Sequence, residues 1–180
     1  MNFFECYYKN IIRYDLLNKF SYKKITQIPK LEKIILNFGC KKFDLKCLIS
    51  SLLALELITL QKGIITNSNV FNISLKIKKG NPVGCKINIR KTLMFNFLIK
   101  LINNIFPKIK QFKGFYIKTE NYNIKTITFS LKNLLIFSEL KNQYLYFKNL
   151  PILNITIIAT NITRNSEFYF LLKSFKFPIN

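Results

Sequence analysis

The sequence predicts an α+β fold in which a mostly antiparallel sheet carries helices packed on one face. Three observations lead there. Apolar residues keep a helical period near the N-terminus and again around residues 45–60. Alternating, β-branched segments recur between Gly63 and Thr160. The two kinds of segment interleave along 180 residues with no internal repeat, low-complexity tract or linker. One domain, 1–180, with a protruding basic loop near 76–86 is the expected organisation. A chain of this size buries about 70% of its unfolded surface.

From Phe4 to Phe20 the apolar positions 4, 7, 8, 11, 12, 16, 17 and 20 mark an amphipathic first helix. Ile28-Pro29 breaks the pattern, and Leu31 to Phe38 reads as a strand ended by Gly39. Asp44 is placed to cap a second helix over roughly 45 to 60, dense enough in apolar residues to pack on a sheet. After Gly63 the segments I-I-T, V-F-N-I-S-L-K-I-K and C-K-I-N-I-R read as strands, with a loop at Gly80-Asn81-Pro82-Val83-Gly84 between the last two. Glycine gives that loop access to positive φ and lets another molecule approach closely, while Pro82 holds Asn81 extended. Thr92 is expected to cap a third helix ending near Phe106-Pro107, followed by a basic loop. Ile124 to Phe137 and Ile152 to Thr160 read as two further strands. Asn165 or Ser166 is expected to cap a closing helix with Glu167 in its first turn, ending before Pro178.

Charge narrows the function. Against 29 basic residues stand 8 acidic ones, for a net charge of +21, and between Glu56 and Glu120 there are twelve Lys or Arg and no acid. An apolar fraction of 49% with 27 aromatics excludes disorder, so this is a folded cation. Such a charge repels itself unless an anionic partner neutralises it, and nucleic acid is the expected partner. Only Arg13, Arg90 and Arg164 are arginines. The lysine bias favours point-charge contacts to phosphate over bidentate reading of guanine, which argues against sequence-specific recognition of a duplex.

Catalytic inventories are thin. No histidine is present, and the cysteines at 6, 40, 47 and 85 lack a C-x-x-C spacing, which excludes zinc fingers and Cys/His catalysis; no metal or cofactor is expected. Scattered thiols fit a reducing compartment, each acting as a small buried hydrophobe. The eight acids are never closer than ten residues apart, and the G-x-x-x-G-C-K segment lacks the spacing and the strand-to-helix context of a P-loop. The apolar run Leu48 to Leu60 contains Glu56 and is too short to span a bilayer, and the N-terminus has neither a signal-peptide nor a transit-peptide pattern. Residue usage, with 28 Ile, 26 Lys and 21 Asn against two Ala, fits an A+T-rich organelle or endosymbiont genome and synthesis where the protein works. The N-x-S/T triplets at Asn72, Asn154 and Asn161 are then products of chance in an Asn-rich chain.

Taken in order, Y-Y-K at 7–9, Q-I-P-K-L-E-K-I-I-L-N-F-G at 27–39, G-N-P-V-G-C-K-I-N-I-R at 80–90, F-P-K-I-K-Q-F-K-G at 106–114, I-F-S-E at 136–139 and F-K-F-P at 175–178 cover nearly the whole chain. This ordered set resembles the large-subunit ribosomal protein family five, which in bacterial-type ribosomes binds 5S rRNA in the central protuberance. The resemblance implies a non-catalytic structural protein that binds large-subunit rRNA, and 5S rRNA where the ribosome has one. It implies rRNA-holding roles for Lys33, Asn37 and Gln61, with Asn88 and Arg90 on the strand after the loop. It also implies that Lys78, Lys79, Gly80, Asn81, Pro82 and Gly84 reach the elbow of the P-site tRNA. The same region of the family bridges to a small-subunit head protein, family thirteen, beside other proteins of the central protuberance. Departures from the family are Asn81 in place of an aromatic, Asn88 in place of a threonine, Lys91 in place of a glycine, and T-E-N-Y-N-I-K at 119–125 in place of a glycine-rich basic loop.

The expected setting is a mitochondrial large ribosomal subunit, with the protein encoded in the organelle; a plastid or an A+T-rich endosymbiont is the other source of such residue usage. The competing class is a basic protein attached to a membrane surface through its lysines and an amphipathic first helix.

Overall fold

In a computed structural model that describes residues 3–40, 44–110, 112, 114, 115 and 125–179, five strands form one antiparallel sheet. They are β1 (Lys30–Gly39), β2 (Ile64–Asn67), β3 (Pro82–Arg90), β4 (Thr126–Leu131) and β5 (Leu153–Thr160), in the spatial order β2-β3-β1-β5-β4. The helices are α1 (Phe3–Tyr7), which runs through a π-helical turn (Tyr8–Ile12) into α2 (Arg13–Lys19), then α3 (Leu45–Thr59), α4 (Lys91–Lys100), the short α5 (Ser138–Lys141) and α6 (Tyr144–Phe147), and α7 (Asn165–Ser174). The α+β class read from the sequence is the observed one. The chain divides into two compact units: unit 1 comprises Met1–Ile34, Arg90–Ile127 and Ile157–Asn180, and unit 2 comprises Ile35–Ile89 and Thr128–Thr156.

Unit 1 is organised by rings. Phe175 is fully buried, and Phe4, Tyr8 and Phe95 lie 5.7, 6.2 and 6.2 Å from it between ring centroids. A second cluster pairs the rings of Phe106, Phe112, Phe115 and Phe177 at centroid distances of 5.1–5.5 Å. Each such pair adds about 0.5–1.5 kcal/mol beyond the area it buries. The phenol of Tyr8 donates to the Pro29 carbonyl (2.8 Å), and the Asn161 amide donates to the Thr26 carbonyl (2.8 Å), fixing the approach to β1.

Unit 2 shows why α3 belongs on the sheet. The Asp44 side chain accepts from the Lys46 amide (3.0 Å) and starts the helix. Leu48, Ser51, Ala54, Leu55 and Ile58 are its buried face, and Ser51 Oγ lies 3.2 Å from the Cys85 thiol of β3. The helix ends at Leu60, whose φ of 56° is left-handed. The chain then turns through Gly63, whose amide donates to the Glu56 carboxylate (2.9 Å).

Several expectations change. Residues 70–78 are no strand: the side-chain oxygen of Asn72 accepts from Ser74 Oγ (2.7 Å) and the Leu75 amide (3.2 Å), so local polar bonds replace a ladder. Only one isolated antiparallel bridge, Asn72 to Ile77, remains there. The strand expected to run to Phe137 stops at Leu131, because Asn133 takes the Leu135 amide (3.1 Å) and begins a 3₁₀ turn. Helix α4 starts one residue before Thr92, with Arg90 in the cap position. In α7 the cap position is Arg164, not Asn165 or Ser166, and Glu167 reaches back to the Thr163 amide (2.9 Å) and hydroxyl (2.8 Å). Of the four thiols only Cys85 is buried; Cys6, Cys40 and Cys47 are half-exposed, with Cys40 and Cys47 sulfurs 3.6 Å apart. The divergent 119–125 segment lies, but for Lys125, outside the described residues.

Candidate nucleic-acid interface

Strand alternation gives unit 2 a two-sided sheet. In β3, Cys85, Ile87 and Ile89 are buried while Lys86 is exposed and Asn88 half-buried; in β1, Leu36 and Phe38 are buried while Ile35 and Asn37 are half-buried. In β4, Ile127, Phe129 and Leu131 point inward, leaving Thr128 and Ser130 exposed. The outward residues of β4 and β5 are cross-linked by side chains: Thr128 to Thr156 at 3.0 Å, and Ser130 donating to Asn154 at 2.8 Å. The outer face of this unit therefore carries amides and hydroxyls with the Lys86 ammonium, beside Ile35 and the exposed Ile64 that pairs with Lys86, and the strand residues of unit 2 include no carboxylate.

Asn37 and Asn88 fall on this outer face, on neighbouring strands. Among the described residues, none hydrogen-bonds the Asn37 side chain. Gln61 sits in the turn between α3 and β2, where its side-chain oxygen is enclosed and lacks a hydrogen-bond partner among the described residues. An enclosed, unsatisfied acceptor costs about 1–3 kcal/mol unless something donates to it. Lys33 and Arg90 belong to unit 1. Lys33 is half-buried and paired with Glu32 at 3.5 Å, which offsets part of its charge, while Arg90 is exposed.

The segment 68–81 is a closed loop. The Ser68 amide donates to the Asn81 carbonyl (2.8 Å), the Gly80 amide donates to the Ser68 carbonyl (2.9 Å), and Lys76 and Gly80 hold φ values of 53° and 89°. Lys78, Lys79 and Gly80 are exposed, and nothing lies within 4 Å of the position a Cβ would take on Gly80. Pro82 and Gly84 are not in this loop: they are the start of β3, where Pro82 pairs with Asn67 and Gly84 with Thr66 across a register shift. A Cβ on Gly84 would stand 2.4 Å from the Phe38 carbonyl oxygen and 2.9 Å from Thr66 Oγ1. The close approach that Gly84 permits is thus to its own sheet.

Two features escape a reading of the sequence. The Thr128, Ser130, Asn154 and Thr156 ladder is visible in T-I-T-F-S-L and L-N-I-T-I-I-A-T as a polar residue at every second position, a signal that by itself announces only a strand. The apolar tip of the 68–81 loop, with Val70, Phe71 and Ile73 exposed by 72, 58 and 78%, has the composition of a strand interior. Burial pushes the Cys85 thiol up and holds it protonated, and Cys47 is pushed up to about 11 by burial and its hydrogen bond with Cys40. Among the described residues no helix is long and apolar enough to cross a membrane.

Residues 82–179 match the family model for the C-terminus of the ribosomal L5 protein family. Over 100% of its length the chain is 38% identical to the large ribosomal subunit protein uL5m of Reclinomonas americana, covering 99% of that protein. It is 38% identical to the large ribosomal subunit protein uL5 of Wigglesworthia glossinidia brevipalpis, over 99% of this chain and 98% of that one. With uL5 of Blochmanniella floridana the figures are 35% identity, 96% and 90%.

Proposed function

This chain belongs to the ribosomal L5 family, and on that premise we propose that it is a structural, rRNA-binding protein of a mitochondrial large ribosomal subunit. It is no enzyme, since its relatives are ribosomal proteins. The observation that carries the reading is the outer sheet face of unit 2, free of strand carboxylates in a chain of net charge +21. Folded RNA presents phosphates and 2′-hydroxyls over a wide, shallow groove, and amides and hydroxyls on a rigid sheet hydrogen-bond to both. Asn37, Asn88 and the ladder of β4 and β5 then fix register, Lys86 supplies charge, and the half-buried Gln61 joins them from the turn after α3. Lys33 and Arg90 add cationic contacts from unit 1.

The 68–81 loop is the part of this reading that faces a second RNA. Lys78 and Lys79, ahead of Gly80 and Asn81, offer two ammonium groups to the backbone of the P-site tRNA. The apolar tip at Val70, Phe71 and Ile73 suits a protein surface, and a small-subunit head protein of family thirteen is the partner assigned to it. In the central protuberance the rRNA partner is 5S rRNA where one is present. The mitochondrial setting is supported by the uL5m relative and by the residue usage, with bacterial relatives at similar identity.

The test is binding of large-subunit rRNA fragments by alanine variants. Asn37→Ala and Gln61→Ala are expected to weaken binding several-fold more than Lys148→Ala, because groups fixed on a strand and a helix end match one RNA shape while a lysine elsewhere only trims general attraction. Equal losses for all three would remove the assignment of the face.

A further inference from the structure

Unit 1 carries a groove of about 520 Å³ between the end of α2 and the outer side of α7. Ser166, Tyr169, Phe170 and Lys173 share that side of α7 at helical spacing, opposite the buried Phe168, Leu171 and Leu172; Lys19 and Phe20 close the groove from α2. Phe20 meets Phe170 edge-on, with centroids 5.9 Å apart and planes at 77°. The Lys19 ammonium sits 4.4 Å above the Phe170 ring and 5.9 Å from the Phe20 ring, and the Lys173 ammonium lies 6.0 Å from that of Tyr169. Among the described residues no carboxylate lines the groove: Glu167, the acid of α7, is 3% exposed and its oxygens are taken by Thr163. Three half-buried rings, beside two ammonium groups that meet no carboxylate among the described residues, form an aromatic floor with a cationic rim.

We infer that this groove receives an unpaired nucleotide of RNA, its base stacked on the Tyr169 and Phe170 rings and its phosphates at Lys19 and Lys173. The inference rests on the ribosomal reading and adds to it a second RNA contact, on unit 1. Every base has a π face, so an aromatic floor takes an unstacked base without reading its sequence, and lysines at the rim take the charge that follows it. The volume accommodates a base with its ribose. Lys19 rests on the face the base would use. Its flexible stem lets the ammonium move off the ring onto a phosphate, so one cation–ring contact is exchanged for a stack and an ion pair.

The experiment measures binding of hexauridylate and of its abasic counterpart, equal in charge, to the full-length chain by fluorescence anisotropy, with large-subunit rRNA retention measured in the same buffer. Stacking predicts that wild type prefers the base-bearing strand by about 5- to 150-fold. Phe170→Leu should shrink that preference, and Tyr169→Leu with Phe170→Leu erase it, while leaving salt-sensitive binding of the abasic strand. A measurement that needs no variant accompanies it: ultraviolet cross-linking of 4-thiouridine-substituted hexauridylate to wild type should mark the peptide containing Tyr169 and Phe170. Equal affinity of wild type for the two strands, a preference undiminished by Phe170→Leu, adducts confined to other peptides, or equally tight binding of polyglutamate would each overturn the inference. If wild type fails to retain rRNA at all, the ribosomal reading itself falls; if it retains rRNA but ignores the bases, only the groove does.

Discussion

Replacing Gly84 by alanine tests whether this glycine serves the sheet or an approaching molecule. The new methyl would lie 2.4 Å from the Phe38 carbonyl oxygen, where ordinary contact begins at 3.4 Å, and the obstacle is backbone, not a side chain that could rotate away. Thr66 Oγ1 at 2.9 Å blocks retreat toward β2. Strands β1 and β3 must therefore separate by about 1 Å at this point, stretching the 2.8 Å hydrogen bond from the Cys40 amide to the Val83 carbonyl. Overpacking typically costs about 1–3 kcal/mol, and the rigid neighbours put this case at about 3. For a chain of this size that is a fall in Tm of about 6–12 °C. Gly39→Ala is the control, since nothing lies within 4 Å of its Cβ position and its φ is ordinary. Thermal unfolding followed by circular dichroism should separate the two variants by most of that interval. If Gly84→Ala melts together with Gly39→Ala, the strands have room at this position and the assignment of Gly84 to the sheet is wrong.

Tyr22→Phe removes a hydroxyl that is buried without a hydrogen-bond partner among the described residues, its phenol pushed up to about 12 by burial and then by the charge of Glu167. The variant should be as stable as wild type or more so by up to about 1 kcal/mol in chemical denaturation, and a clear loss would reveal a partner for that oxygen. Lys78→Ala with Lys79→Ala deletes two exposed charges without opening a cavity, so assembly into large subunits should be nearly normal while P-site tRNA retention falls. A doubly substituted chain absent from subunits, or one present with unchanged tRNA affinity, would remove the loop's assignment. Binding of the full-length chain to rRNA fragments should drop by about 10³ to 10⁵ between 50 and 200 mM salt if roughly 6 to 10 phosphates are neutralised. A flat response in the same titration would leave the charge of +21 without its assigned role.

Much of the scaffold was legible in the chain. Asp44 ahead of an apolar run announces α3, and alternation from Leu31 to Phe38 announces β1, because caps and period act locally. The misreadings share one cause. Asn72 in a stretch rich in β-branched residues, and Asn133 after an alternating one, divert backbone amides to their own side chains, and that competition does not register in a hydrophobic pattern. The candidate face was half legible: Asn37, Gln61 and Asn88 entered through the family resemblance, while the polar ladder of β4 and β5 was present in the alternation itself. The aromatic groove was not legible, since Phe20 and Phe170 become neighbours only when α2 and α7 pack in the folded chain. Gly84 illustrates a further limit: spacing marks a glycine as special without saying which molecule comes close to it.

The central claim is that the outer sheet face of unit 2 holds rRNA in an assembled subunit. Ultraviolet cross-linking of purified large subunits, followed by mass spectrometry of the adducts on this chain, measures that contact directly. The account predicts rRNA adducts on the peptides carrying Asn37, Lys86 with Asn88, and Asn154 with Thr156. Adducts absent from all three in subunits that contain the protein would contradict it.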